Sequence, residues 1–268
     1  MRYLKGTIVL SETHDYPLLR RVLHSSFVTG GQLFDFMRLE YCTSSRKAFE
    51  NRLRRLIAHS LLLRRQIEDM NRGVVYAISP AGASELIARG EYYAGSPDRM
   101  ASAGGHVQHA LELNEIHLAL RRTGMLVRWT PESDIRSRNE LTDIGYGKDY
   151  DATVEVRING QEHRFALEYE RTPKVKARYD VIRKRIEMQT QLRHFLYVAP
   201  NHDLLAFLRG RFQDCSHVIY FGLYRDFLAD ALDVPVQASR GSITSRFSEV
   251  LGGALRPFAA SDGGTRAT

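Results

Sequence analysis

The chain has 268 residues, of which 43% are hydrophobic and 26% charged, a balance that excludes wholesale disorder and allows two modest domains, each with its own core. Its 38 Lys and Arg against 31 Asp and Glu leave a formal charge of +7, which favours polyanionic partners without selecting one. Cys42 and Cys215 lie too far apart in the sequence for a metal cluster or disulfide framework, and no apolar run has the length of a signal-peptide core or membrane span, so a cytoplasmic protein without membrane association is expected.

In chain order, Asp15 is expected to cap a first helix carrying Leu18, Leu19 and Val22, and Thr29 a second carrying Leu33, Phe34 and Phe36. A third helix is expected to start near Thr43 or Ser44. Its apolar residues Phe49, Leu53, Leu56 and Ile57 share one face, while Ser44, Lys47, Asn51, Arg54 and Arg55 take the other. Residues 61–67 and 74–78 are β-prone runs joined by a turn containing Asn71 and Gly73, with Arg64, Arg65 and Arg72 around it. Ser79 then caps a helix with Pro80 at its first position and Leu86 and Ile87 on the buried side. This order predicts a winged helix-turn-helix domain over residues 1–95.

Residues 93–105 are small, Gly, Pro or polar, which predicts a linker over 96–105 and a second domain over 106–235. That domain begins with a buried helix over 106–122 ending at Gly124, then a strand over 125–130. Residues 131–148, rich in charge and containing Gly145 and Gly147, are expected to form a mobile loop. Strands over 150–158 and 163–169 follow, joined by Asn159-Gly160, the strongest short hairpin signal in the chain. A helix over 175–192, a strand over 194–198, a helix over 201–212, a strand over 217–221 and a helix over 225–232 complete a mixed α/β domain. The tail, residues 236–268, is expected to be largely disordered apart from a segment near 243–255.

Two sets of residues carry chemistry. On the third helix, Lys47, Asn51 and Arg54 have the side chains that reach base edges in a major groove, and Arg64, Arg65 and Arg72 those that hold phosphates or enter a minor groove. Any one of these arginines reads equally well as a solvated side chain, so the cluster carries the argument. In the second domain Glu168 and Glu170, two apart on a strand, share a face, and the hairpin is expected to bring Asp151 towards them.

Tyr76, Ile78, Ser79, Gly82 and Leu86 resemble the end of the wing and the following helix of bacterial winged-helix regulators, over roughly residues 14–90. The element order with Asp151, Glu168 and Glu170 resembles the restriction-endonuclease-like fold. That resemblance implies acids holding Mg²⁺ and a lysine assisting an attacking water. Here Glu170 stands at the lysine position, leaving Lys174, Lys176 and Lys184 as candidate cations.

The whole chain is similar to the replication-relaxation family of plasmids and integrated mobile elements, on His109, Asn114, Trp129, Glu132, Asp151-Ala152, Glu168-Tyr169-Glu170-Arg171-Thr172 and Tyr179. It departs from that pattern at Tyr150, where a proline is expected, and at Glu170, where an aspartate is commoner. Relaxase chemistry of the usual kind needs a His-x-His cluster, whereas His106 and His109 stand three apart and Tyr179 fits an apolar helix face.

Three functions follow as expectations. The first is a double-stranded-DNA-binding accessory or regulatory protein of a mobile element, acting in plasmid replication, transfer or transcription control. The second is a Mg²⁺-dependent endonuclease using Asp151, Glu168 and Glu170, and the third is a module recruiting replication or transfer proteins. A homodimer would match two-fold DNA sites.

Overall fold

A computed structural model describes residues 8–67, 73–91, 104–142, 145–242 and 244–253. The chain is mixed α/β and divides into two compact units, Met1–Val154 and Glu155–Thr268.

The first unit runs α1 (Asp15–Ser25), β1 (Val28–Thr29), α2 (Gly30–Tyr41), α3 (Arg46–Ala58), β2 (Leu62–Gln66), β3 (Val74–Ile78), α4 (Pro80–Ile87), α5 (Gly104–Arg122), β4 (Leu126–Pro131) and α6 (Glu132–Leu141). The strands β1, β3 and β2 form an antiparallel sheet in that order, with Val28 opposite Tyr76 and Leu62 opposite Ile78. Leu18, Leu19, Val22, Leu33, Met37, Phe49, Leu53 and Leu56 from the first three helices bury themselves in one core with Val75, Ala77 and Ile78 of β3.

Local chemistry explains the helix starts. The Thr29 hydroxyl accepts the Gln32 N–H at 3.1 Å while the Gln32 side chain accepts the Thr29 N–H at 3.2 Å, a reciprocal cap on α2. Ser79 accepts the Gly82 N–H at 2.9 Å ahead of Pro80, as expected. Gly82 is required for packing, because a Cβ there would collide with the Leu61 carbonyl oxygen.

Several expectations for this unit are corrected. Asp15 is the first residue of α1, and its side chain does not cap the helix; its buried carboxylate accepts the Ser11 N–H at 2.8 Å. Ser45 is the cap of α3, which begins at Arg46. Ile87 is exposed while Leu86 is buried, because α4 is short and only one of the two adjacent residues can face the core. The segment expected as a loop over 131–148 contains α6, anchored by buried Ile135; a single aliphatic anchor leaves little periodic signal.

Of the linker expected at 96–105, residues 96–103 lie outside the described residues. The division falls within β5 (Ala152–Ile158), well beyond that linker, because α5 belongs to the first core through Val107, Ala110 and Leu111. Two buried amides secure it. Gln32 Nε2 donates to the Leu111 carbonyl at 2.9 Å and Asn114 Nδ2 to the Phe27 carbonyl at 2.7 Å.

The second unit continues with β6 (Gln161–Tyr169), α7 (Lys176–Glu187), β7 (His194–Ala199), α8 (His202–Phe212), β8 (Ile219–Leu223), α9 (Tyr224–Asp230), β9 (Pro235–Ala238), β10 (Thr244–Arg246) and α10 (Phe247–Leu251). Asn159 and Gly160 both take positive φ, 50° and 81°, as a two-residue hairpin turn demands. Within this unit the strand order is β10-β9-β8-β7-β6, with β6, β7 and β8 parallel and β9 and β10 antiparallel to their neighbours.

The expectation of disorder is corrected over residues 236–242, where β9 ends, while the segment excepted near 243–255 carries β10 and α10 over residues 244–251. Low hydrophobicity misleads there because a few apolar residues are enough to anchor the segment: Val236, Phe247, Val250 and Leu251 are buried, the Phe247 ring 5.0 Å from Phe165 and 5.9 Å from Tyr220. Residues 254–268 lie outside the described residues. Among the described residues, no helix is long and apolar enough to cross a membrane.

Candidate functional site

The helix α3 separates its two faces as its periodicity requires, with Phe49, Leu53 and Leu56 buried and Ser44, Lys47, Asn51, Arg54 and Arg55 exposed around it. Lys47 makes no ion pair among the described residues, and Arg54 Nη2 donates to Asn51 Oδ1 at 2.5 Å, aligning two polar groups on the outer face. Arg55 is engaged differently. It and Arg52 both bind the Asp15 carboxylate, Arg52 Nε at 3.2 Å, and so tie α3 to α1. Arg64 and Arg65 are exposed on β2, opposite Tyr76 and Val75, and as neighbours on a strand they face opposite sides. Arg72 lies outside the described residues.

A half-buried charged network that periodicity does not reveal joins α1, α2 and α5. Arg21 Nη2 of α1 lies 2.7 and 2.6 Å from the two carboxylate oxygens of Glu40 in α2, and Arg121 Nη2 of α5 is 3.2 Å from Glu40 Oε1. The Arg21 guanidinium sits 4.5 Å over Phe36, and the His117 ring is stacked on Trp129 at 4.1 Å. His24, whose Nε2 is 3.4 Å from Asp134, is pushed down from 6.5 to about 4 by burial and then by Arg21. His117 is pushed well below its ordinary value by burial and then by Arg21 and Arg121.

Both histidines are therefore neutral in the fold at neutral pH. Once unfolded, His24 takes up its proton near pH 6.5, so between 6.5 and about 4 the unfolded state binds more protons and stability falls as pH falls. The His24 contribution is complete above pH 6.5 and is lost at about 1.4 kcal/mol per pH unit below it. Burial raises Glu132 and Asp134, which acts in the opposite sense, so the informative quantity is a difference between variants. Urea midpoints followed from about pH 7 to about pH 5 should decline less in His24→Gln than in the wild type. Parallel profiles would refute this assignment.

The carboxylates fall into two groups. In the first unit, His109 Nε2 lies 3.3 Å from Asp151 Oδ1, and the Asp151 carbonyl accepts the Glu132 N–H at 3.2 Å. Glu132 is raised by burial and then by Asp151, and its carboxylate also binds Arg136. His109, Glu132 and Asp151, which the sequence pattern singles out separately, thus come together.

In the second unit Glu168 and Glu170 are both buried at the end of β6, Glu168 opposite Tyr197 of β7 and the Glu170 N–H donating to the Val198 carbonyl at 2.9 Å. Lys174 Nζ lies 2.5 Å from Glu170 Oε2, while Lys176 and Lys184 are exposed and make no ion pair among the described residues. The buried Tyr179 hydroxyl accepts the Lys174 N–H at 3.0 Å and also bonds the Glu170 side chain. Burial, followed by Glu170, pushes this phenol up to about 12, so it holds its proton and serves to fix the Glu170–Lys174 turn.

Asp151 belongs to the first unit and the two glutamates to the second. Among the described residues, no group of three or more His, Cys, Asp or Glu side chains is placed to hold a metal ion. Cys42 and Cys215 are both free thiols, Cys42 exposed and Cys215 buried.

Element order and sheet define a mixed α/β protein with two compact units. The chain matches no protein-family model and no curated protein sequence.

Proposed function

We propose that this chain binds double-stranded DNA through a winged helix-turn-helix formed by α1 to α4, with α3 entering the major groove. The observation that carries the reading is the outer face of α3, where Lys47, Asn51 and Arg54 are exposed on a helix whose other side is buried. Asn and Arg are the side chains that contact adenine and guanine edges bidentately. The strand order β1-β3-β2 supports a wing built from the β2–β3 hairpin, with Arg64 on its exposed surface. On this reading the protein is an accessory or regulatory factor of a mobile element, acting in replication, transfer or transcription control. Selection from a random-sequence duplex pool with the full chain should enrich one short motif. A pool that stays random would count against base reading.

A second reading, a Mg²⁺-dependent endonuclease, is favoured by one observation, the 2.5 Å contact between Lys174 Nζ and Glu170 Oε2. It supplies a cation beside the carboxylate that stands at the lysine position. On this reading Glu168 and Glu170, both buried in the second unit, would hold the metal, which when bound supplies charge neutralisation and an activated water. Supercoiled DNA incubated with Mg²⁺ or EDTA should then be nicked only with the metal, and Glu168→Ala and Lys174→Ala should each abolish nicking. Intact DNA under every condition would eliminate the enzyme and leave the DNA-binding reading standing.

A further inference from the structure

The helix α7 carries five basic residues against two acidic ones, a charge excess that its packing does not use. Its buried residues, Tyr179, Ile182 and Ile186, face one way, and Tyr179 meets Phe207 and Phe212 of α8 edge-on. On the outer side lie Arg178, Val181, Lys184, Arg185 and Met188, all exposed.

The charges of α7 divide cleanly. Of its acids, Asp180 lies 4.0 Å from Arg183, and Glu187 accepts the Ser216 N–H at 3.4 Å. Arg183 is additionally 4.0 Å from Asp214. By contrast, Arg178, Lys184 and Arg185 make no ion pair among the described residues. Arg178 and Arg185 are seven residues apart, two turns, which sets them on one side of the helix about 10 Å apart along its axis. That distance is roughly three base-pair steps along a strand.

From this we infer that the outer face of α7 is a second DNA-contacting surface, binding the phosphate backbone of duplex DNA through Arg178, Lys184 and Arg185. The inference rests on the DNA-binding reading of the whole chain and adds to it a contact in the other unit. Charge selects the occupant. A second copy of the same face would set like charges against each other, whereas a polyanion neutralises all three cations and releases its counterions. Two modest contacts linked in one chain also raise overall affinity through effective concentration. The exposed Val181 and Met188 would be equally at home against an acidic protein, and the test separates that partner from DNA.

The experiment measures the affinity of the full chain for a mixed-sequence duplex of about 30 base pairs across a salt series, by fluorescence anisotropy. The wild type, R178A/K184A/R185A and K47A/N51A/R54A are compared, with thermal unfolding as a check that each variant is folded. The α7 variant is expected to have a salt dependence shallower by about 2 to 3 logarithmic units per decade, near 0.9 for each phosphate it no longer binds. An unchanged slope in a folded α7 variant, alongside wild-type binding, overturns the α7 surface and leaves α3 intact as the DNA reader. Wild-type chain that binds no duplex overturns both. If the α7 variant keeps its DNA slope but loses binding to poly-glutamate, the face serves an acidic protein instead and the inference fails.

Discussion

Replacing Lys47, Asn51 and Arg54 together by alanine is expected to weaken binding to a selected duplex site by roughly 10²- to 10⁴-fold, since each base-edge contact is worth about 1–3 kcal/mol and neighbouring contacts are not fully additive. All three side chains are exposed, and among the described residues the one side-chain hydrogen bond removed joins Arg54 to Asn51 on the surface. Folding stability should therefore stay within about 0.5 kcal/mol of the wild type. That pairing of results, lost specificity in an unchanged fold, is what distinguishes a reading helix from a structural one. Arg55 makes the contrast. It is bound to buried Asp15, so its replacement should act first on the junction of α1 and α3 and only secondarily on DNA.

The second large effect is expected at Glu40. Its buried carboxylate neutralises Arg21 and also contacts Arg121, so Glu40→Ala leaves guanidinium charge in the interior without its counterion. Breaking a buried pair by removing one partner costs about 3–5 kcal/mol, and urea unfolding of Glu40→Ala should show a loss in that range. Glu140→Ala, at an exposed position of α6, is the matched control and should change stability by less than about 0.5 kcal/mol. Equal effects from the two substitutions would mean that the network contributes little. Arg21, Glu40 and Arg121 come from α1, α2 and α5, so the network joins three helices of the first unit.

What is legible in the sequence has a local cause. The caps read at Thr29 and at Ser79 before Pro80, and the turn read at Asn159-Gly160, each act within three residues, so they appear as read. The amphipathic split of α3 is likewise a property of one helix. Features set by tertiary contact are not legible. Asp15 reads as a cap from its neighbours, yet arginines thirty-seven and forty residues away claim its carboxylate. The Gly- and Ser-rich stretch reads as the boundary, but α5 crosses back into the first core through Gln32 and Asn114, hydrogen bonds no composition shift can announce. In the same way α6 has one buried apolar anchor, Ile135, and α10 is only five residues long, so neither is long enough or apolar enough to show a clear period.

The candidate site is partly legible for the same reason. Glu168 and Glu170 stand two apart near the end of β6, so their common burial follows from strand geometry, and the Lys174 that meets Glu170 is only four residues further on. The contact of His109 with Asp151 spans forty-two residues and is a product of the fold.

Whether the chain is a duplex-DNA-binding protein is tested most directly by the affinity of the wild-type chain for double-stranded DNA as salt is raised from about 50 to about 200 mM. Binding at low salt is expected, falling by roughly 10³-fold or more across that range as several phosphate contacts exchange with counterions. Absence of binding to any duplex at low salt, by a chain shown to be folded, would contradict the DNA-binding reading.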